Sequence, residues 1–135
     1  IIEEYLRLAA PEATVAEVRK ALEYVGLDEV IDNMEEGIAT RISVLGAPLQ
    51  PLEFLLLKLA AAVLSKPQVL VINQHFDAIP QSIKVRLLER IDRLDCTVLY
   101  FTNTPLKGMF NATLNLQDVL YVEDSVADNK GEGHE

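Results

Sequence analysis

Apolar residues recur along the chain in two distinct spacings. Ile2 to Leu8 reads as helical, and Pro11 ends that segment. Thr14, with Glu17 three residues later, forms a capping box. Val15, Val18, Leu22 and Val25 then give one apolar helical stripe, and Gly26 suits the left-handed position beyond its end. Asp28 begins a short helix that the pattern carries to about Met34. Glu36-Gly37 and Gly46-Ala47-Pro48 punctuate a loop region around Ile42 to Val44. Pro51 fits the first turn of the next helix, which runs to Leu64 and stops before Pro67. Its apolar stretch, Phe54 to Leu64, is interrupted only by Lys58. A membrane span needs roughly 20 such residues. The stretch is shorter than that and predicts a helix buried on nearly every side.

Beyond Pro67 the spacing changes. Val69-Leu70-Val71-Ile72 is wholly apolar, the pattern of a central strand covered on both faces. Gln81 to Leu94 returns to helical spacing, with Ile83, Leu87, Leu88, Ile91 and Leu94 on one face. Thr97 to Phe101 reads as a second buried strand. Leu114 to Leu116 and Val119 to Val122 read as a final hairpin or strand pair. Alternating strands and helices predict an α/β fold with a parallel sheet and crossover helices. Ligands of such sheets sit outside the carboxyl ends of the strands. Here those ends are Asn73-Gln74 and Thr102-Asn103.

Composition narrows the function classes. The chain has 135 residues, enough for one domain. It is 50% apolar with a mean hydropathy of +0.17. The net charge is −9, which argues against a nucleic-acid partner. That charge is uneven. Residues 1–40 carry 10 acids and 3 bases, residues 41–122 carry 6 and 8, and residues 123–135 carry 5 and 1. The last segment is polar and predicts a disordered acidic tail. A single cysteine, Cys96, excludes an internal disulfide. With only two histidines besides, an ordinary zinc site is not expected. No basic segment leads into an apolar one at the start, so no signal peptide is expected, and Ile1 suggests a piece of something longer.

The strand ends are polar but uncharged. Asn73, Gln74 and Asn103 can donate and accept hydrogen bonds, yet none can act as a general base at neutral pH. Amides are also poor ligands for magnesium, which prefers carboxylates. His75 and Asp77 are read as a loop histidine and a helix-leading aspartate, with a catalytic pair as the alternative. Asn111-Ala112-Thr113 matches a glycosylation acceptor and is treated as chance. The phosphate loop G-x-x-x-x-G-K-[ST] does not occur in the 135 residues.

From Ala13 to Thr102 the order of residues resembles the later part of an ABC transporter nucleotide-binding domain of the exporter type. The family's A-L-x-x-V-G-L run stands as Ala21-Leu22-Glu23-Tyr24-Val25-Gly26-Leu27. Its acidic-Gly-x-x-T element stands as Glu36-Gly37-Ile38-Ala39-Thr40. Gly46 and Leu49 match the lead-in to the signature L-S-G-G-Q. Ala60, Ala62 and Pro67 match the following helix and its exit, and Val69 to Ile72 match the Walker B strand. Thr97 to Thr102 resembles the strand that leads to the switch histidine, and Ile1 to Leu8 the segment after the Q-loop.

The resemblance implies a partial P-loop NTPase-type parallel sheet with crossover helices plus an α-helical subdomain. Residues 1–50 would be that subdomain, 51–122 the C-terminal part of the α/β core, and 123–135 the tail. The functional motifs depart from the family. After Leu49 the signature reads Gln50-Pro51-Leu52-Glu53, without its serine and glycines. Asn73 stands at the Walker B aspartate, Gln74 at the catalytic glutamate, Pro80 at the D-loop aspartate and Asn103 at the switch histidine. Pro51 removes a backbone donor, Leu52 adds a side chain and Glu53 adds a negative charge where the family brings backbone N–H groups to a γ-phosphate. Gln74 lacks the base that polarises the attacking water, a role worth ~10²–10⁴ in rate.

The expected function is therefore a catalytically silent nucleotide-binding domain acting as a structural or regulatory partner in membrane transport. The alternatives are an ATPase active only with an upstream Walker A and a competent partner, and an interaction module that has lost the nucleotide. ATP and magnesium would bind only with an upstream Walker A, so no cofactor and no metal site are expected for this chain alone. The implied partners are a second such nucleotide-binding domain, or a second copy of the chain, and a transporter's transmembrane domain, at the cytoplasmic face of a membrane. The apolar strands predict that the isolated chain self-associates. Light scattering checks this, and a stable monomer across concentrations would contradict it.

Overall fold

The computed structural model describes residues 1–116. The chain divides into two compact units, Ile1–Pro105 and Leu106–Glu135, each described by itself. In the first, α1 (Ile2–Ala9), α2 (Val15–Val25) and α3 (Asp28–Asp32) precede a 3₁₀ turn at Gly37–Ala39. Next come α4 (Pro51–Leu64), β1 (Val69–Ile72), a 3₁₀ turn at Gln74–Ala78, α5 (Gln81–Asp92) and β2 (Thr97–Tyr100).

The local signals operate as their chemistry requires. Thr14 caps α2: its hydroxyl accepts from Glu17 N–H at 3.2 Å, and Glu17 Oε2 accepts from Thr14 N–H at 2.8 Å. These bonds from Thr14, with Lys66 Nζ at 3.2 Å, hold the Glu17 carboxyl down to about 2. Gly26 follows α2 at φ +78°. Helix α3 ends at Asp32 and α5 at Asp92, each two residues earlier than the apolar pattern suggests.

The helical core forms around α4, which packs against α2 and α1. Leu56, Leu57, Leu59, Ala60, Ala61 and Leu64 are buried on it, facing Ile2 and Leu6 of α1 and Val18, Leu22 and Val25 of α2 within one core. Its start is set by two features. Pro51 occupies the first turn, and Glu53 Oε2 accepts from Gln50 N–H at 2.8 Å. Phe54 then takes up the space beside Gly46, lies 6.0 Å from the Tyr5 ring, and carries Lys58 Nζ 4.6 Å over its face.

Strands β1 and β2 run parallel, with Val69 opposite Thr97 and Ile72 opposite Tyr100, and α5 is the crossover between them. Helix α5 buries Leu87, Leu88 and Ile91. The expectation that both strands are covered on both faces is corrected. Leu70 and Ile72 are buried, but Val69 is 52% exposed, Val71 58%, and Leu99 and Phe101 48% each. The register puts the exposed residues of both strands on one face, which no described element covers. A wholly apolar strand shows that both faces suit burial; it does not supply the second layer.

A second correction concerns the end of the chain. Leu114 to Leu116 does not form a strand, and Leu114 and Leu116 are exposed. Alternating apolar residues become a strand only where a neighbour takes up their backbone N–H and C=O groups. Val119 to Val122 and the acidic tail lie outside the described residues.

Two substitutions test this account of α4. Gly46 sits at φ +95°, and a Cβ there would run into the Phe54 side chain. Gly46→Ala should therefore lower stability by about 1–3 kcal/mol, read from the urea midpoint. Glu53→Ala removes the acceptor for Gln50 N–H and should cost about 0.5–2 kcal/mol in the same measurement.

Candidate functional site at the strand ends

The parallel register brings the two predicted strand ends side by side. The ladder continues through Phe101 N–H, which donates to Ile72 C=O at 2.8 Å. Asn73-Gln74 and Thr102-Asn103 therefore leave the sheet together. Asn73 Oδ1 accepts from His75 N–H at 2.9 Å, which starts the 3₁₀ turn. Asn103 Nδ2 donates to Gln74 Oε1 at 3.3 Å. The amides of Gln74 and Asn103 thus touch each other.

Asp77 is the hub of this group. Its Oδ1 accepts from the Tyr100 hydroxyl and from Thr102 Oγ1, the latter at 2.6 Å, and its Oδ2 accepts from Asn103 N–H at 2.9 Å. Thr104 N–H donates to Thr102 Oγ1 at 3.0 Å, so the Thr102 hydroxyl is engaged on both sides. The Tyr100 ring meets Phe76 edge-on, with centroids 5.6 Å apart and planes at 84°. Lys84, only 6% exposed, places Nζ 3.5 Å from the Asp77 carbonyl.

The electrostatics follow from these contacts. Partial burial raises the Asp77 carboxyl, but the donors Thr102, Tyr100 and Asn103 N–H, with Lys84 nearby, outweigh it and leave the group below its ordinary value. Burial and the adjacent Asp77 push the Tyr100 phenol up to about 12. Such a carboxylate is a poor proton acceptor. Both its oxygens are in use, and its charged form is already favoured.

Sequence reasoning placed Asp77 at the head of a helix, or in a pair with His75. Both readings are corrected. Asp77 lies inside the 3₁₀ turn, no hydrogen bond joins it to His75 among the described residues, and its partners come from 23, 25 and 26 residues downstream. The parallel register could have signalled this, since it aligns the turn after β1 with the residues after β2.

The remaining positions are structural in their contacts. Pro80 precedes α5, and its carbonyl accepts from Ile83 N–H at 3.0 Å and Lys84 N–H at 2.9 Å. Leu49 is buried, and its N–H donates to Gly46 C=O at 2.9 Å. Gln50 and Pro51 are exposed, while Leu52 and Glu53 are half-buried at the start of α4. The Glu53 carboxylate therefore occupies the positive end of that helix. No hydrogen bond or ion pair joins residues 49–53 to the strand-end group among the described residues. No group of three or more His, Cys, Asp or Glu there could hold a metal ion, and no helix there is long and apolar enough to cross a membrane.

Known proteins give these positions a context. No family model matches the chain. It is 30% identical over 93 residues to an uncharacterized ABC transporter ATP-binding protein, YknV, of Bacillus subtilis, covering 69% of this chain and 15% of that protein. It is 28% identical over 103 residues to the sublancin-168-processing and transport ATP-binding protein SunT of the B. subtilis prophage SPbeta, covering 76% of this chain and 15% of that one. The chain thus spans about a seventh of the length of these curated relatives. Among solved structures, a bacterial Atm1-family ABC exporter with ATP bound superposes with a TM-score of 0.70 at 17% identity, over 76% of this chain and 18% of that one. The chain's relatives are therefore ABC transporter ATP-binding proteins, and its fold is that of the later part of an ABC exporter's nucleotide-binding domain.

Proposed function

We propose that the chain forms part of a nucleotide-binding domain that does not hydrolyse ATP and serves as a structural or regulatory partner in a membrane transport complex. One observation carries this reading. At the strand ends, Gln74 and Asn103 bond to each other as neutral amides, and the nearby carboxylate, Asp77, is taken up by three protein donors. Nothing in that arrangement can accept a proton from an attacking water at neutral pH. The start of α4 is consistent with it, because Glu53 places a carboxylate where the family brings a triphosphate. The partners in this reading are a second nucleotide-binding domain and a transporter's membrane helices, with the chain at the cytoplasmic face. Magnesium and ATP would be held by residues upstream of this segment.

A second reading, an interaction module without nucleotide, draws on the exposed apolar sheet face of Val69, Val71, Leu99 and Phe101. Calorimetric titration of the longer parent protein with Mg-ATP separates the two, and a clear binding isotherm excludes the second.

The expected result for hydrolysis is no Mg-dependent phosphate release above background by this chain. Release that survives purification and disappears in Gln74→Ala would overturn the proposal.

A further inference from the structure

We propose that Asp77 is a positioning residue that fastens the turn leaving β2 to the turn leaving β1, and so keeps Asn103 within reach of Gln74. This does not depend on whether the protein binds or hydrolyses nucleotide. The direct link between the two turns, Asn103 Nδ2 to Gln74 Oε1, is 3.3 Å long, exposed and neutral on both sides. Such a bond exchanges readily with water and orders little by itself. The bonds to Asp77 are charge-assisted, roughly twice as strong as neutral ones, and shorter.

Their arrangement is also specific. Tyr100, Thr102 and Asn103 lie within four residues, and each supplies one donor to the same carboxylate. Two of the donors are also held by contacts other than the carboxylate. Phe76 packs on the Tyr100 ring, and Thr104 N–H occupies a lone pair of the Thr102 hydroxyl, leaving its proton for Asp77. Asn103 donates twice, by its backbone to Asp77 and by its side chain to Gln74. Fixing the backbone therefore places the amide. An asparagine at position 77 either turns its NH₂ toward Asn103 N–H or must have both hydroxyls reverse from donor to acceptor, and in each case the charge assistance is lost.

The charge dependence gives a sign. Asp77 ionises more readily in the folded chain than in the unfolded one, so the clasp is complete above the ordinary aspartate value of about 4. It is lost as pH falls through the lower folded value. Among the described residues, the titratable and charged groups around it include Tyr100 from β2, Lys84 from α5 and His75 on the same turn.

Amide hydrogen exchange of the whole chain tests the proposal, with rates corrected for the intrinsic pH dependence. Asp77→Asn should accelerate exchange at Asn103 at least about tenfold, with α2 and α4 amides unchanged. The wild type should keep Asn103 protected above about pH 4 and lose that protection progressively as pH is taken further down, and Asp77→Asn should be flat over the same range. His75→Gln should keep the wild-type response. Wild-type protection of Asn103 in Asp77→Asn, a flat wild-type pH series, or a response lost in His75→Gln would each overturn the assignment. If Asp77→Asn also deprotects α4, Thr102→Val decides. It removes one donor, and should loosen Asn103 by a smaller factor; no change there overturns the proposal.

Discussion

Helix α4 has almost no polar strip to offer water, and the rest of the first unit is arranged around that constraint. Between Pro51 and Leu64 its only charged side chains are Glu53 and Lys58. Glu53 is spent on the helix start, and Lys58 lies over the Phe54 ring. The remaining faces must be covered by other elements, and α1 and α2 do this with stripes of their own. The close approach at the helix start then demands Gly46, because Phe54 fills the space a Cβ would need. The same helix ends at Ser65, and Pro67 keeps the chain from continuing it. The site at the strand ends thus sits on a chain whose path is set by burying one apolar helix.

The start of α4 and the strand ends are both supplied with groups of the chain's own. At the α4 start, a carboxylate satisfies the helix dipole and a backbone N–H together. At the strand ends, three donors converge on Asp77. An anion entering either place would compete with a carboxylate already bonded, and it would do so against like charge.

What the sequence made legible follows from the range over which each signal acts. Capping at Thr14, the left-handed Gly26 and the proline start of α4 are decided within four residues, and they were readable. The parallel pairing of the strands was readable too, because an apolar strand, a helix and another apolar strand admit few connections. Which face would lie open, that of Val69 and Val71, was not, since a strand's composition states what it could bury and not what is there to bury it. Asp77 was missed for a related reason. Its donors are more than twenty residues away, and its neighbours in sequence suggested only a helix start or a partner in His75.

Asp77 also bears on how the changed motifs relate to one another. By the resemblance, positions 73 and 74 would carry acids facing a metal and a water, and here they carry amides. Four and three residues further on, the chain holds an acid whose charge is directed inward, at Tyr100, Thr102 and Asn103 N–H. An acid facing outward keeps its lone pairs for a ligand and stays reactive. One that accepts three protein donors is held in its charged form and has little left to give. At the strand ends the carboxylate of Asp77 is thus directed inward, and the same cluster accounts for the position of Asn103.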